Sequence, residues 1–404
     1  MRIEDVTSEH STGKARVAAK VIWEDTDRPA DQVFFETDEV FSDSLAPSAD
    51  AFLAAALSPA LWAGERRIQV QGEVCPELLD NLSAVHQLFK AWFKIPGVNT
   101  VIEATPRPVP AAVTGQRDAA FFFSGGIDSL AAFRSNRTSC PPGHPLYLKR
   151  GLIVYGLEVE TEEPFRFVVD ALGEMAAAAE LTMMPVATNV RCLNPDWAFW
   201  YNGYMGPALC AVAHAMGGRV SSATIGSDYD AAHLVPHGSH PLIEPNFSSY
   251  SVRIRYHGLT MTRLEKARMV AAWEPALRNL RVCNKPDLYR PGVLNCGSCE
   301  KCARTMLELI AAGAFDRADV FLRRDMTPEI VEQLYMPPKV QPFYEELITP
   351  LAEAGRHDLS QAVRRSLKRA RGETGLTGRL RKFDRDRLNG GLLSLKRAFV
   401  PLPN

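Results

Sequence analysis

The sequence predicts an α/β protein with a mostly parallel sheet, and three observations carry that reading. Between Ala119 and Phe315, short apolar runs alternate with amphipathic stretches, the pattern of strands joined by crossover helices. Within that region Ala120–Phe123 is apolar throughout, as a strand buried on both faces should be. The run breaks at Ser124-Gly125-Gly126, and Asp128 to Phe133 then reads as the first turns of a helix. Three regions follow from these patterns: an α+β module over 1–115, the α/β domain over 116–315, and a helical, basic region over 316–404.

In the first region, Val17–Trp23 and Gln32–Phe41 carry β-branched and aromatic residues near period two, which predicts strands. Ser48 is placed to cap a helix through Leu61, Arg67–Val74 reads as a third strand, and Pro76–Phe93 as a helix with Leu78, Leu82, Val85 and Phe89 on one face. Thr100–Ala104 reads as a further strand, and Pro106, Pro108 and Pro110 make a stiff link.

In the second region the expected strands are Gly151–Gly156, Leu181–Asn189 and Val220–Ser227, with a short one in Leu277–Cys283. The expected helices are Pro164–Glu180, Phe199–Met216 and Leu264–Trp273. Open α/β sheets bind ligands beyond the carboxyl ends of their strands, so Ser124, Gly156, Arg191 and Asp228 are expected to converge on one crevice. Arg191 suits contact with a ribose, a phosphate or a substrate carboxylate. Trp197, Trp200 and Tyr201 either stack on a base or pack the next helix. His233 to His257 reads as a long loop beside that edge, a substrate lid. Beyond Asp316 the chain turns helical and basic, with Leu359, Val363, Leu367 and Ala370 on one stripe.

A chain of 404 residues, 46% hydrophobic and 23% charged, can bury a large core. Its net charge of −1 provides no global field for nucleic acid. No apolar stretch is long enough to span a bilayer, and Met1–Lys20 lacks the apolar core of a secretory leader, so a cytoplasmic protein with no membrane association is expected.

Two motifs carry chemistry. A strand, a glycine turn and a helix start place backbone N–H groups and the positive helix end around one point, and Ser124 and Ser129 add hydroxyl donors. With no Gly-Lys-Ser/Thr following, this is not a Walker loop. Cys283, Cys296, Cys299 and Cys302, the last three in Cys-Gly-Ser-Cys-Glu-Lys-Cys, suit a tetrahedral Zn²⁺. An iron–sulfur cluster and a redox pair are the alternatives, and the extended ferredoxin spacing is absent. Cys75, Cys140, Cys192 and Cys210 are scattered and read as ordinary thiols.

Ser-Gly-Gly-Ile-Asp-Ser resembles the signature of the PP-loop ATP pyrophosphatases, a Rossmann-like superfamily also described as adenine nucleotide alpha hydrolase-like. Together with the downstream cysteines it resembles the 7-cyano-7-deazaguanine synthase (QueC) family over about Ala119 to Gly313. The resemblance implies that Ser124, Gly125, Gly126, Asp128 and Ser129, with Gly156 and Arg191 nearby, bind ATP, and that Mg²⁺ and structural Zn²⁺ are cofactors. Asp228 in Ile225-Gly-Ser-Asp228 would hold Mg²⁺ or substrate, and Lys266 in Arg263-Leu-Glu-Lys266 would neutralise phosphate charge, so that Asp128, Ser129, Asp228 and Lys266 form the catalytic set.

The implied reaction is adenylylation of a carboxylate such as 7-carboxy-7-deazaguanine with release of pyrophosphate. Transfer to a nitrogen nucleophile follows, either ammonia or an amine of a protein or nucleic-acid acceptor. A second copy of the chain is a further candidate partner. This sequence departs from the family at Tyr155-Gly156-Leu157 and at Leu280-Arg281-Val282, which bears on the acceptor. The alternatives are a tRNA thiolase of the same superfamily, which needs a sulfur-carrying cysteine, and a catalytically silent nucleotide-binding module.

Overall fold

A computed structural model of the chain describes residues 1–97, 99–109 and 117–372. It groups into two units, Met1–Cys296 with Arg317–Leu322, and Gly297–Asp316 with the described residues from Arg323 onward.

The first unit is built on a ten-stranded sheet. Its strands are β1 (Arg2–Ser11), β2 (Lys14–Ile22), β3 (Asp31–Asp38), β4 (Arg67–Val74), β5 (Val101–Pro106), β6 (Asp118–Phe122), β7 (Leu148–Tyr155), β8 (Thr182–Thr188), β9 (Val220–Gly226) and β10 (Arg253–His257). They lie in the order β10-β9-β6-β7-β8-β3-β2-β1-β4-β5. The block β10-β9-β6-β7-β8 is parallel, and so is β1-β4-β5. Three antiparallel steps, β8–β3, β3–β2 and β2–β1, separate the blocks. An odd number of reversals makes the blocks run in opposite directions, so their carboxyl ends lie at opposite edges of the sheet.

The stretch expected as a module over 1–115 therefore supplies five strands to the same sheet as the later α/β stretch. The join is specific. Phe35 pairs with Thr188, Thr188 Oγ1 donates to the Phe34 carbonyl (2.7 Å), and the Asn189 side chain accepts from Phe34 N–H (2.9 Å) and donates to the Gln32 carbonyl (2.7 Å).

Helix α1 (Ala49–Ala63) is Ala-rich and buried along almost its whole length, and α2 (Pro76–Trp92) buries Leu78, Leu82, Val85 and Phe89 as its periodicity predicts. Four expectations change, and one strand is added. Ser48 stands at the N-cap of α1, but its side chain makes no capping bond. Leu277–Cys283 holds no strand; Pro275 starts a short helix, Glu274–Asn279, there. Arg253–His257, expected within a lid, is strand β10 paired with β9, and β1 is a strand the pattern did not announce. Phe199–Met216 is not one regular helix: a π-turn over Trp200–Tyr204 precedes the helix Met205–Ala215.

In the second unit, helix Glu300–Ala311 buries Met306 and Leu309, and helix His357–Gly372 buries Leu359, Val363 and Leu367 on the predicted stripe. Pro110 of the proline link, and the basic stretch beyond 372 with Phe383 and Phe399, lie outside the described residues. Among the described residues, no helix is long and apolar enough to cross a membrane.

Candidate functional site

β6 ends at Phe122, and the chain turns through Ser124 and Gly125 into α3 (Ile127–Ser139). Gly125 takes φ +75°, a left-handed value that costs other residues roughly 1–2 kcal/mol. The hydroxyls of the turn form a closed relay. Gly126 N–H donates to Ser124 Oγ (3.3 Å), Ser124 donates to Ser129 Oγ (3.0 Å), and Ser129 donates to the Gly126 carbonyl (3.1 Å). Arg281 occupies the neighbouring carbonyls: its N–H donates to Gly125 O (2.9 Å) and its Nη1 to Ser124 O (3.1 Å). With its carbonyls engaged and its hydroxyls bonded to one another, what the turn offers a ligand is the first N–H groups of α3 at the positive end of that helix, and the hydroxyls would have to leave the relay to donate.

Asp128, in the first turn of α3, is held by two cations. Arg263 Nη1 donates to Oδ2 (2.6 Å), and Lys266 Nζ lies 3.6 Å from Oδ1 while donating to the Ser227 carbonyl. Both cations come from helix Arg263–Ala271, where three-residue spacing puts them on one face. A capping box fixes that helix start: Glu265 N–H donates to Thr262 Oγ1 (3.3 Å), and Thr262 N–H donates to Glu265 Oε2 (2.8 Å). Lys266 is 1% exposed and Arg263 6%, so these charges act in a poorly solvated setting. β9 ends against the same turn, since a Cβ at Gly226 would lie 2.5 Å from the Asp128 carbonyl.

Asp228, two residues beyond β9, accepts from Tyr256 Oη (3.4 Å), and His237 Nε2 lies 3.5 Å from its other oxygen. Nearby, Glu244 is fully buried; its Oε2 accepts from His240 N–H (2.7 Å), and burial pushes its carboxyl up to about 8.

The structure thus brings together Ser124, Gly125, Gly126, Asp128, Ser129 and Lys266, with Asp228 one residue from the carbonyl that Lys266 binds. It places Gly156 and Arg191 differently. Gly156 takes φ +92°, and a Cβ there would sit 1.8 Å from the Thr188 carbonyl, so the glycine serves close packing against the end of β8. The Arg191 guanidinium, expected to face a ligand, is 6% exposed. It donates to the carbonyls of Leu157 (3.1 Å) and Pro195 (2.7 Å), pairs with Glu160 and lies 3.7 Å over the Trp197 ring. It ties the loops after β7 and β8 together. Trp200 is core, whereas Trp197 is 46% exposed and stacks on Tyr201.

The sulfurs of Cys283, Cys296, Cys299 and Cys302 lie within 4.8 Å of one another. Zn–S bonds of about 2.3 Å would set tetrahedral sulfurs about 3.8 Å apart, so the donor set fits this ion. Asn295, fully buried, organises the first two ligands. Its Oδ1 accepts from the N–H groups of Val282 (2.8 Å) and Cys283 (3.1 Å), and its Nδ2 donates to the carbonyls of Leu280 (2.7 Å) and Val320 (3.2 Å). Tyr289 then connects Cys283 to the glycine turn: its Oη donates to the Cys283 carbonyl (2.5 Å) and accepts from Arg281 Nε (3.1 Å).

Sequence reasoning missed Asn295, Tyr289 and the roles of Arg263 and Arg281. Arg263 had a signal, its position just inside a Thr-x-x-Glu capping box; Arg281 had none. Comparison with family models, with curated proteins and with solved structures returned no match to this chain.

Proposed function

We propose that the chain is an ATP-dependent, QueC-like ligase of PP-loop type. It would adenylylate a carboxylate such as 7-carboxy-7-deazaguanine, release pyrophosphate, and pass the acyl group to a nitrogen nucleophile, ammonia or an amine of a macromolecule. One observation carries this reading: the donor-lined turn Ser124–Ser129 and the buried cations Arg263 and Lys266 meet at one carboxyl edge of the sheet. A leaving pyrophosphate gathers negative charge, and fixed N–H dipoles, hydroxyls and desolvated cations stabilise it without reorganising. In this reading the Ser124 and Ser129 hydroxyls and the first N–H groups of α3 bind the phosphate oxygens. Lys266, held in place by the Ser227 carbonyl, neutralises their charge, and Arg281 keeps the turn's carbonyls directed away from the anion.

Asp128 and Asp228, both partly exposed carboxylates, are the hard oxygen ligands that would hold Mg²⁺, which when bound would share the charge of the phosphates. The four cysteines would hold Zn²⁺ in a structural role, since four protein ligands leave no open position.

A thiolase needs an accessible, ionisable sulfur. Burial and then the Asp31 charge push the Cys192 thiol up to about 12, so it stays protonated at neutral pH, which favours the ligase reading.

The test is product analysis with ATP, Mg²⁺ and 7-carboxy-7-deazaguanine. AMP and pyrophosphate are expected, and ADP as the sole nucleotide product would refute the proposal. Parallel reactions with ammonia and with candidate partner proteins, read by mass spectrometry, separate a free nitrile or amide from a macromolecular adduct.

A further inference from the structure

A small cavity lies beside the glycine turn. Its wall is drawn from the segments that follow two strands of the same parallel block: Glu158 just beyond β7, and Trp197 and Tyr201 beyond β8. Arg281 belongs both to this wall and to the turn, where its Nη1 donates to the Ser124 carbonyl (3.1 Å). The cavity opens to solvent and measures about 20 Å³, and a single water needs about 10–15 Å³. It therefore takes one water-sized group and excludes a ring.

Three aromatic rings and one carboxylate give the wall its chemistry. The rings are those of Trp197, Tyr201 and Tyr289, and the first two stack with centroids 6.0 Å apart. The carboxylate is Glu158. It is half-buried, and among the described residues it accepts no hydrogen bond and forms no ion pair. Withdrawing a charge from water without a partner is costly, and a cation in the cavity would remove that cost.

Neither neighbouring guanidinium meets that need. Arg281 spends its donors on Tyr289 Oη (3.1 Å) and the Ser124 carbonyl. Arg191 lies 3.7 Å over the Trp197 ring but pairs with Glu160. Burial, and after it the charge of Glu158, push the Tyr201 phenol up to about 12, so the negative field of Glu158 reaches the ring-lined space.

Aromatic rings attract cations, and an unpaired carboxylate accepts hydrogen bonds from an N–H donor of opposite charge. We infer that this cavity binds a primary ammonium group, either the ammonium ion or the head of a larger amine, with Glu158 as its acceptor. The group would wait one side chain, Arg281, away from the Ser124 turn. Its role as the nitrogen nucleophile rests on the ligase reading proposed above, whereas its binding does not.

The experiment uses the full chain with ¹⁵N-labelled tryptophan and no ATP, titrated separately with the chlorides of ammonium, methylammonium, tetramethylammonium and sodium. The Trp197 indole resonance, identified by its loss in Trp197→Phe, should shift and saturate with ammonium or methylammonium, at half-saturation at or below about 10 mM. Tetramethylammonium, too large for the cavity, and sodium should leave it in place. Saturation by ammonium alone identifies free ammonia as the occupant, and tighter binding of methylammonium identifies the head of a larger amine. Glu158→Gln should weaken binding at least about tenfold and raise the KM for the amine more than it lowers kcat, whereas Glu163→Gln, an exposed carboxylate in the same loop, should leave binding unchanged. Absence of saturation, an equal response to sodium or tetramethylammonium, or wild-type binding by Glu158→Gln would each overturn the inference. Saturable binding without AMP and pyrophosphate formation would instead remove the ligase reading and leave the ammonium site standing.

Discussion

The glycine turn and the cysteine cluster meet at Arg281 and Tyr289, yet they are built in opposite ways. The cluster draws its four sulfurs from twenty residues of chain, Cys283 to Cys302, and a metal would bind them more strongly than any single hydrogen bond. The turn draws its partners from far along the sequence: Asp128 meets Arg263 135 residues away, and Ser124 meets Arg281 157 residues away. Each of its contacts is individually modest. One region is local and strongly held. The other is non-local and depends on the rest of the fold to position it.

The largest test of that contrast is at the cluster. The protein should hold one Zn²⁺ per chain, and Cys299→Ser should lose much of a contribution of order 10 kcal/mol, read as an early melting transition. Iron in elemental analysis, or wild-type melting of the variant, would contradict the assignment. At the turn, Asp128→Asn keeps shape and removes charge, so the fold should persist while pyrophosphate release falls by about 10²–10³-fold. Unchanged turnover would remove Asp128 from the site.

The two regions should also differ in the sign of their response to pH. The cluster releases its metal as pH falls, because thiolates protonate. Glu244, fully buried near Asp228, behaves in the reverse sense. Its folded pKa of about 8 lies above the unfolded value of about 4.5, so between these the unfolded chain alone gives up the proton. Stability should therefore decline by about 1.4 kcal/mol per pH unit across that window, and Glu244→Gln should flatten the slope. Denaturant midpoints of both proteins from pH 5 to pH 8 decide it, and parallel curves would refute it. The smallest expected effect lies at the link. Tyr289→Phe removes bonds to the Cys283 carbonyl and Arg281, costs about 1 kcal/mol, and should raise the KM for ATP several-fold while metal content stays at one. An unchanged KM would show that the two regions are energetically independent.

The same contrast explains what was legible in the sequence. Ser124–Ser129 and the four cysteines stand in short, chemically distinctive strings, and the structure gathers them. Arg67–Val74 and Pro76–Trp92 were legible because one periodicity governs each. Arg281 was not: nothing in Leu280-Arg281-Val282 reports a partner far upstream. Arg191 was read as facing ligand because it follows a strand end, but sequence position does not say which carbonyls will enclose a guanidinium. β10 carried an alternation, Val252, Ile254 and Tyr256 against Arg253, Arg255 and His257, that the polar run before it obscured. The order of the strands was not legible either, because pairing of β3 with β8 depends on contacts between Phe34 and Asn189 that no local pattern encodes.

That pairing has a consequence for how the chain is made. β3 emerges early from the ribosome, and its partner β8 follows roughly 140 residues later, about 7–30 s at usual rates of synthesis. Through that interval β2 covers one side of β3, and the other side is an open row of N–H and C=O groups able to pair with any neighbouring chain. A truncated gene ending near residue 115 would make the exposure permanent. Its product should form aggregates that the full-length chain avoids, and yields of the whole protein should rise when a holding chaperone is supplied.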